Sequence, residues 1–263
     1  MKEIPLDQIK AKLQDRYKAQ GFGDNLFNND WNLLLRTGKH PQKASVEDLQ
    51  NAILRANSQA TRANYASRLK SVYKALRKMN LIDNRPDEDL PDVKKKRGTP
   101  HPLTRGEAQL LMTEARMPMK HWFILGCCAG LRAMEVSKIR GIDLEETDDG
   151  HILRVYGKGG TDLAVPVAPI VADLIKSYNT KGRLFTVTPN KLSSRASAEM
   201  KRLGIPKKTF HACRHYFATT MLEKSGGDLL AVRDLMRHSS VETTQVYTQL
   251  ATGRTRSLVN LIE

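Results

Sequence analysis

The sequence predicts a mainly α protein with a small antiparallel β-sheet, an α+β chain of two domains. Three observations carry that expectation. Apolar residues recur at helical spacing through the first third of the chain. A stretch with four prolines, mixed charge and no periodicity follows, "DNRPDEDLPDVKKKRGTPHP", Asp83 to Pro102. Beyond it one pair of short β segments interrupts an otherwise helical pattern. The expected boundaries are a helical domain over 1–84, a linker over 85–102 and a second domain over 103–263.

The elements follow in order. Leu6, Ile9, Leu13 and Tyr17 share one face of a first helix. Ser45-Val-Glu-Asp48 is a capping-box-like start, with Asp in place of the usual Glu or Gln, leading into Val46, Leu49 and Ile53. The clearest helix is Thr61 to Met79, where Tyr65, Leu69, Val72, Leu76 and Met79 form an apolar stripe. Arg62, Arg68, Lys70 and Lys74 lie largely off it. Such a basic face suits DNA as well as it suits water. Lys94, Lys95, Lys96 and Arg97 form a run in the linker that is a candidate phosphate contact. Thr104-Arg-Gly-Glu107 is a second capping-box pattern. A buried helix is expected around Trp122 to Ala129, ending near Gly130. His151–Tyr156 and Asp162–Val167 read as strands joined by the glycine-rich turn Gly157-Lys-Gly-Gly160.

Charge narrows the function. The 263 residues hold 43 Lys and Arg against 28 Asp and Glu, a net +15. The excess is +8 over 1–99 and +7 over the remainder, so it is not confined to a tail. A basic balance along the whole length suits a polyanion. The longest apolar run, "WFILGCCAGL", is far shorter than the roughly 20 residues of a membrane span. With no apolar leader at the N-terminus, a cytoplasmic location is expected, without membrane partners. Three cysteines without a C-x-x-C pair argue against a disulfide scaffold or a cysteine-rich zinc site.

The stretch "TFHACRHYFATT", Thr209 to Thr220, concentrates polar chemistry. His211 and His215 stand four apart, a spacing compatible with a metal. However, Ala212 occupies the place where a metalloprotease pattern needs Glu, and no metal is expected. His211 and Arg214 also share a face, and a guanidinium fork with one more donor matches a phosphate. In "AGLRAMEVSKIRGIDL", Gly130 and Leu131 deliver Arg132 to a helix start, and Glu135 follows three residues later as an orienting carboxylate. Lys158 sits on the glycine-rich hairpin turn. "LMRHSSVETTQVYTQL" adds His238 and Tyr247.

Taken in order, Arg132, Lys158, His211-x-x-Arg214, His238 and Tyr247 resemble the tyrosine recombinases, the phage integrase family. "GLRAMEVSKIRGIDL" is similar to the family's G-L-R-x-x-E-x-x-x-L block, "HACRHYFATTML" to its H-x-L-R-H-x-x-A-T block, and "HSSVETTQVYT" to its H-x-x-x-x-T-T-x-x-Y block. Three positions depart. Arg237 stands where Gly usually precedes the histidine, Cys213 where Leu is common, and Leu163 where a basic residue is frequent after the lysine hairpin.

The resemblance implies a two-domain C-shaped clamp on double-stranded DNA, with a SAM-like core-binding domain at 1–84. It implies Tyr247 as nucleophile, Arg132 and Arg214 gripping the phosphate, His211 as proton acceptor, His238 as a further donor and Lys158 as general acid. No cofactor is implied. A homotetramer on two DNA sites is implied, exchanging strands through a Holliday junction. The apolar tail residues Leu258, Val259, Leu261 and Ile262 are available to dock on a neighbour or fold back on their own domain. The size resembles simple recombinases without an arm-binding domain. Integration or excision of a phage or mobile element is the first reading. Chromosome or plasmid dimer resolution is the second. A type IB topoisomerase and a non-catalytic DNA-binding protein are the competing classes. A metal-dependent nuclease lacks its carboxylate cluster in this sequence.

Overall fold

The computed structural model describes residues 3–93, 101–156 and 162–237, with only the backbone described at residue 162. The chain divides into two compact units, 1–98 and 99–263.

Among the described residues, the first unit contains four helices: α1 (Leu6–Ala19), α2 (Asp24–Leu35), α3 (Val46–Leu54) and α4 (Gln59–Lys78). Ile9, Leu13 and Tyr17 of α1 meet Leu69, Val72, Tyr73 and Leu76 of α4 in one core. The Ser45 capping box is formed on both sides, with Asp48 as its acidic member. Helix α4 begins two residues before the expected Thr61, because Ser58 accepts from the Thr61 amide and caps it. Helix α2 is not evident from composition, since "DNLFNNDWNLLL" is rich in Asn and Asp. Its Phe27, Trp31 and Leu34 nevertheless bury at helical spacing.

One boundary moves. The stretch 85–93, which its prolines and charges mark as linker, packs on the first unit instead. Leu90 is buried in the helical core, with Val93 against it. Arg77 of α4 holds the buried Asp87 through two parallel hydrogen bonds. A composition shift marks the loss of periodicity; it does not mark the loss of packing.

The second unit runs α5 (Arg105–Glu114), α6 (Met119–Ala129), the short α7 (Ala133–Val136), a 3-10 turn at Gly141–Asp143, β1 (Leu144–Thr147), β2 (Gly150–Tyr156), β3 (Asp162–Val167), then α8 (Pro169–Ser177), α9 (Pro189–Arg202), α10 (His211–Lys224) and α11 (Leu229–Met236). Both capping-box bonds form at Thr104 and Glu107. The sheet is an antiparallel meander, β1-β2-β3, with Leu144 opposite Leu153 and Leu153 opposite Val165. Strand β1 has no clear signal in the sequence, because "LEET" has little β character. Pairing with β2 across the turn Asp148-Asp149-Gly150 supplies what propensity lacks, and Gly150 adopts φ 128° there.

Helix α6 is the centre of this unit. Trp122, Phe123, Leu125 and Gly126 are buried among residues of α5, α8, α9 and α10. A Cβ on Gly126 would stand 2.8 Å from the Cys213 Cβ, so α6 and α10 approach closely at this point. This accounts for one departure from the family block: a small Cys213, wholly buried, fits against that helix. Among the described residues, no helix is long and apolar enough to cross a membrane.

Candidate active site

The site begins where α6 ends. Gly130 takes φ 60°, ψ 27°, the left-handed conformation that closes a helix. The chain turns there and leaves Arg132 at the N-cap of α7. Glu135, buried beneath it, accepts from the Arg132 backbone amide and from its guanidinium, both at 2.7 Å. The Arg132 side chain stays partly exposed, with its carboxylate partner sealed underneath.

Helix α10 supplies the second guanidinium. Arg214 is 1% exposed. It donates to the Gly130 carbonyl and to the Met236 carbonyl, tying α10 to the end of α6 and to the end of α11. His211 opens α10 three residues earlier, and His215 lies one turn on. Their rings stand 4.4 Å apart, edge to face. Burial lowers the His211 pKa, and the positive charges of Arg214 and Arg132 lower it further. Burial is also the main cause at His215, joined by His211, Arg214 and His101, which together bring its pKa to about 4. Both shifts favour the neutral imidazole, the state in which a ring nitrogen can accept a proton.

Arg237 answers a question the sequence left open. It ends α11 at φ 53°, ψ 46°, a left-handed position where Gly is the unstrained choice. An L-residue there costs about 1–2 kcal/mol. Its guanidinium is buried and engaged: one Nη donates to Glu135 at 2.9 Å and to the Gly130 carbonyl at 3.3 Å, the other to the Leu235 carbonyl at 3.0 Å. Its Nε has no hydrogen-bond partner among the described residues. Burial would raise the Glu135 pKa, but Arg237 and Arg132 outweigh it and hold the carboxyl below its ordinary range. Three guanidiniums and one carboxylate thus surround the Gly130 turn, with two positive charges in excess. That is an environment for a phosphate-like anion.

A further cluster escapes the sequence reading. Arg140 pairs with buried Asp143 at 2.7 Å, and the Tyr156 hydroxyl donates to the same carboxylate at 3.1 Å. Tyr156 is the last residue of β2, so this cluster fixes the strand end that precedes residues 157–161. The available signal is Asp143 three residues after Arg140, a pattern shared with the Arg132–Glu135 pair.

Not every expected residue joins this site. Lys158, His238 and Tyr247 lie outside the described residues, as do Lys94, Lys95, Lys96 and Arg97. On α4 the basic residues divide. Arg68 pairs with Asp30, a buried carboxylate that also accepts from the Tyr17 hydroxyl at 2.7 Å. Arg62 donates to the Ala56 carbonyl at 3.1 Å, and Lys70 pairs with Asp92 at 2.8 Å. Lys74 is exposed and forms no ion pair with a described residue. Leu163 lies on β3 opposite Val155 and is exposed there.

The sequence model of the phage integrase family matches residues 101–254, more than half the chain, a span holding Arg132, His211, Arg214 and Tyr247. The chain belongs to the phage integrase family of tyrosine recombinases. Members of this family are DNA strand-transferring enzymes. A recombinase named XerC from Mesorhizobium japonicum is 31% identical over 71% of this chain and 67% of its own length. A relative of the same name from Mycobacterium bovis is matched over about half its length. Among solved structures, the XerH site-specific recombinase bound to palindromic difH in a post-cleavage complex superposes with a TM-score of 0.72, 18% identity and coverage of 95% of this chain and 84% of that one. A lambda integrase dimer bound to a COC′ core site gives 0.72 at 13% identity, over 93% and 77%. At such identities these two structures carry the fold of a tyrosine recombinase.

Proposed function

We propose that this tyrosine recombinase cuts and rejoins double-stranded DNA at a specific site through a covalent 3′-phosphotyrosine at Tyr247. One observation carries the reading: Arg132 and Arg214 meet around the Gly130 turn, with His211 one turn before Arg214 on the same helix. A phosphodiester resists attack because it is an anion. Its transition state gathers more charge on the non-bridging oxygens, and fixed guanidiniums stabilise that charge without reorganising.

In this reading the Tyr247 oxygen attacks phosphorus. Its proton passes to His211, since a free phenol with pKa near ~10 needs an acceptor. The bond to the 5′ oxygen breaks, and Lys158 protonates the leaving alkoxide. His238 donates to a non-bridging oxygen. The phosphotyrosine keeps the ester's energy, so a 5′-hydroxyl from another strand reverses the step with new partners. Repetition through a Holliday junction, by four protomers holding two DNA sites in a clamp with the tail 251–263 docked on a neighbour, completes recombination.

The biological role we favour is integration or excision of a phage or mobile element. The second reading, dimer resolution, is favoured by the sequence similarity to recombinases named XerC. Covalent trapping tests the chemistry. Wild type and Tyr247→Phe are incubated in EDTA with a library of nicked duplexes and run on denaturing gels. A slow-migrating adduct in the wild type alone supports the reading. Equal adducts in both place the nucleophile elsewhere. Tight binding without any adduct favours a non-catalytic DNA-binding protein. Religation of only the original strand favours a topoisomerase.

A further inference from the structure

The Gly130 carbonyl accepts from both Arg214 and Arg237, and Glu135 Oε2 accepts from both the Arg132 amide and Arg237. Arg237 therefore touches an acceptor used by each phosphate-gripping arginine. Its own side chain is 3% exposed, and its terminal nitrogens donate to Glu135 and to the Gly130 and Leu235 carbonyls. Its backbone sits at a left-handed angle that favours Gly, and strain of this kind persists where the surroundings over-determine it. It is also the residue immediately before His238, at the end of the helix that precedes Tyr247 in the sequence.

We propose that Arg237 is a positioning residue for strand cleavage: it braces Glu135 and the Gly130 carbonyl so that Arg132 and Arg214 meet the scissile phosphate in one register. The assignment rests on the phosphotyrosine reading above. Two effects combine. Without Arg237, the Glu135 charge would be balanced by Arg132 alone, leaving less of that cation for the phosphate. With it, Glu135 is shared, and Arg132 keeps a larger part of its field for the transition state. The two hydrogen bonds from Arg237 to Glu135 and the Gly130 carbonyl also couple the end of α11 to the Gly130 turn. Tyrosine recombinases usually carry Gly at this position; in this chain a buried cation stands there at the expense of backbone strain.

The test compares wild type, Arg237→Gly and Arg237→Lys in single-turnover adduct formation at saturating nicked DNA, with DNA affinity and thermal midpoint measured alongside. Gly accepts the φ of 53° without strain. The expected result is unchanged DNA affinity and a first-order rate lowered about tenfold to a hundredfold in Arg237→Gly, the loss typical of a slightly misplaced catalytic group. Arg237→Lys, with the charge but not the fork, recovers part of it. A wild-type rate in Arg237→Gly overturns the assignment. So does a rate loss matched by an equal loss of affinity, which would make Arg237 a binding residue. If Arg237→Gly does not fold, Arg237→Lys decides: a slowed rate at unchanged affinity supports the brace, and a full wild-type rate overturns it. An adduct absent from the wild type removes the cleavage reading and this assignment together.

Discussion

A Cβ on Gly130 would stand 2.5 Å from the Phe217 ring, a distance no side chain tolerates. Gly130 is needed twice, for its φ of 60° and for this approach of α10 to the end of α6. Gly130→Ala therefore combines backbone strain with overpacking and is expected to cost about 2–5 kcal/mol of unfolding free energy. Chemical denaturation would read it as a lower midpoint. A midpoint equal to wild type would mean the turn relaxes freely and does not hold Arg132.

Arg132 and Arg214 should fail in different ways. Arg132 is partly exposed and Glu135 keeps Arg237 when it is removed, so Arg132→Ala should slow adduct formation by on the order of 10²–10³ with the smaller loss of stability. Arg214→Ala should lose a similar rate and more stability, roughly 1–3 kcal/mol for the Met236 carbonyl left without this donor, while the Gly130 carbonyl keeps Arg237. Single-turnover rates and thermal midpoints on both variants check the split. An Arg214→Ala protein as stable as Arg132→Ala would contradict the buried tie.

The paired histidines predict a pH dependence. His215 has its pKa lowered to about 4, mainly by burial, and His211 is lowered for the same first reason. An unfolded histidine titrates near ~6.5. Between those values the unfolded chain binds more protons, so stability rises with pH. The His215 contribution is fully present above about 6.5 and is lost as pH falls toward about 4, and the lowered His211 acts in the same direction. His215→Asn should flatten the thermal midpoint across that window. An unchanged slope would mean that other groups carry the acid sensitivity.

Basic residues of α4 should separate in DNA binding. Lys74 is exposed, and Lys74→Ala should weaken binding across sequences and lower the salt slope by about one. Arg68→Ala should mainly destabilise the first unit, because it strands the buried Asp30. Binding titrations over a salt series, set beside denaturation curves, distinguish the two. An unaltered slope in Lys74→Ala would remove α4's exposed face from the DNA interface.

Much of the helical plan is visible without coordinates. The stripes of α1 and α4, the capping boxes at Ser45 and Thr104 and the β2–β3 pair all rest on local rules: side-chain periodicity and short-range hydrogen bonds. Helix α2 and strand β1 are hidden because Asn, Asp and Glu dilute their patterns, and burial or cross-strand pairing makes up the difference. The stretch 85–93 misleads for the converse reason. Its composition is that of a linker, yet Leu90 and the Arg77–Asp87 pair bind it to a helix already formed.

The ordered set of Arg132, Glu135, His211 and Arg214 is legible as a chemical inventory, since residue type and spacing determine which charges can share a helix face. Sequence alone also determined the net positive charge and the family. What only the tertiary structure decided is how those charges are divided. Arg237 lies 107 positions beyond Gly130 in the chain. It reaches that turn and the carboxylate of Glu135 because α10 and α11 pack against the end of α6. Such partners are chosen by three-dimensional proximity and by the cost of burying an unpaired charge, and neither has a signature in local spacing.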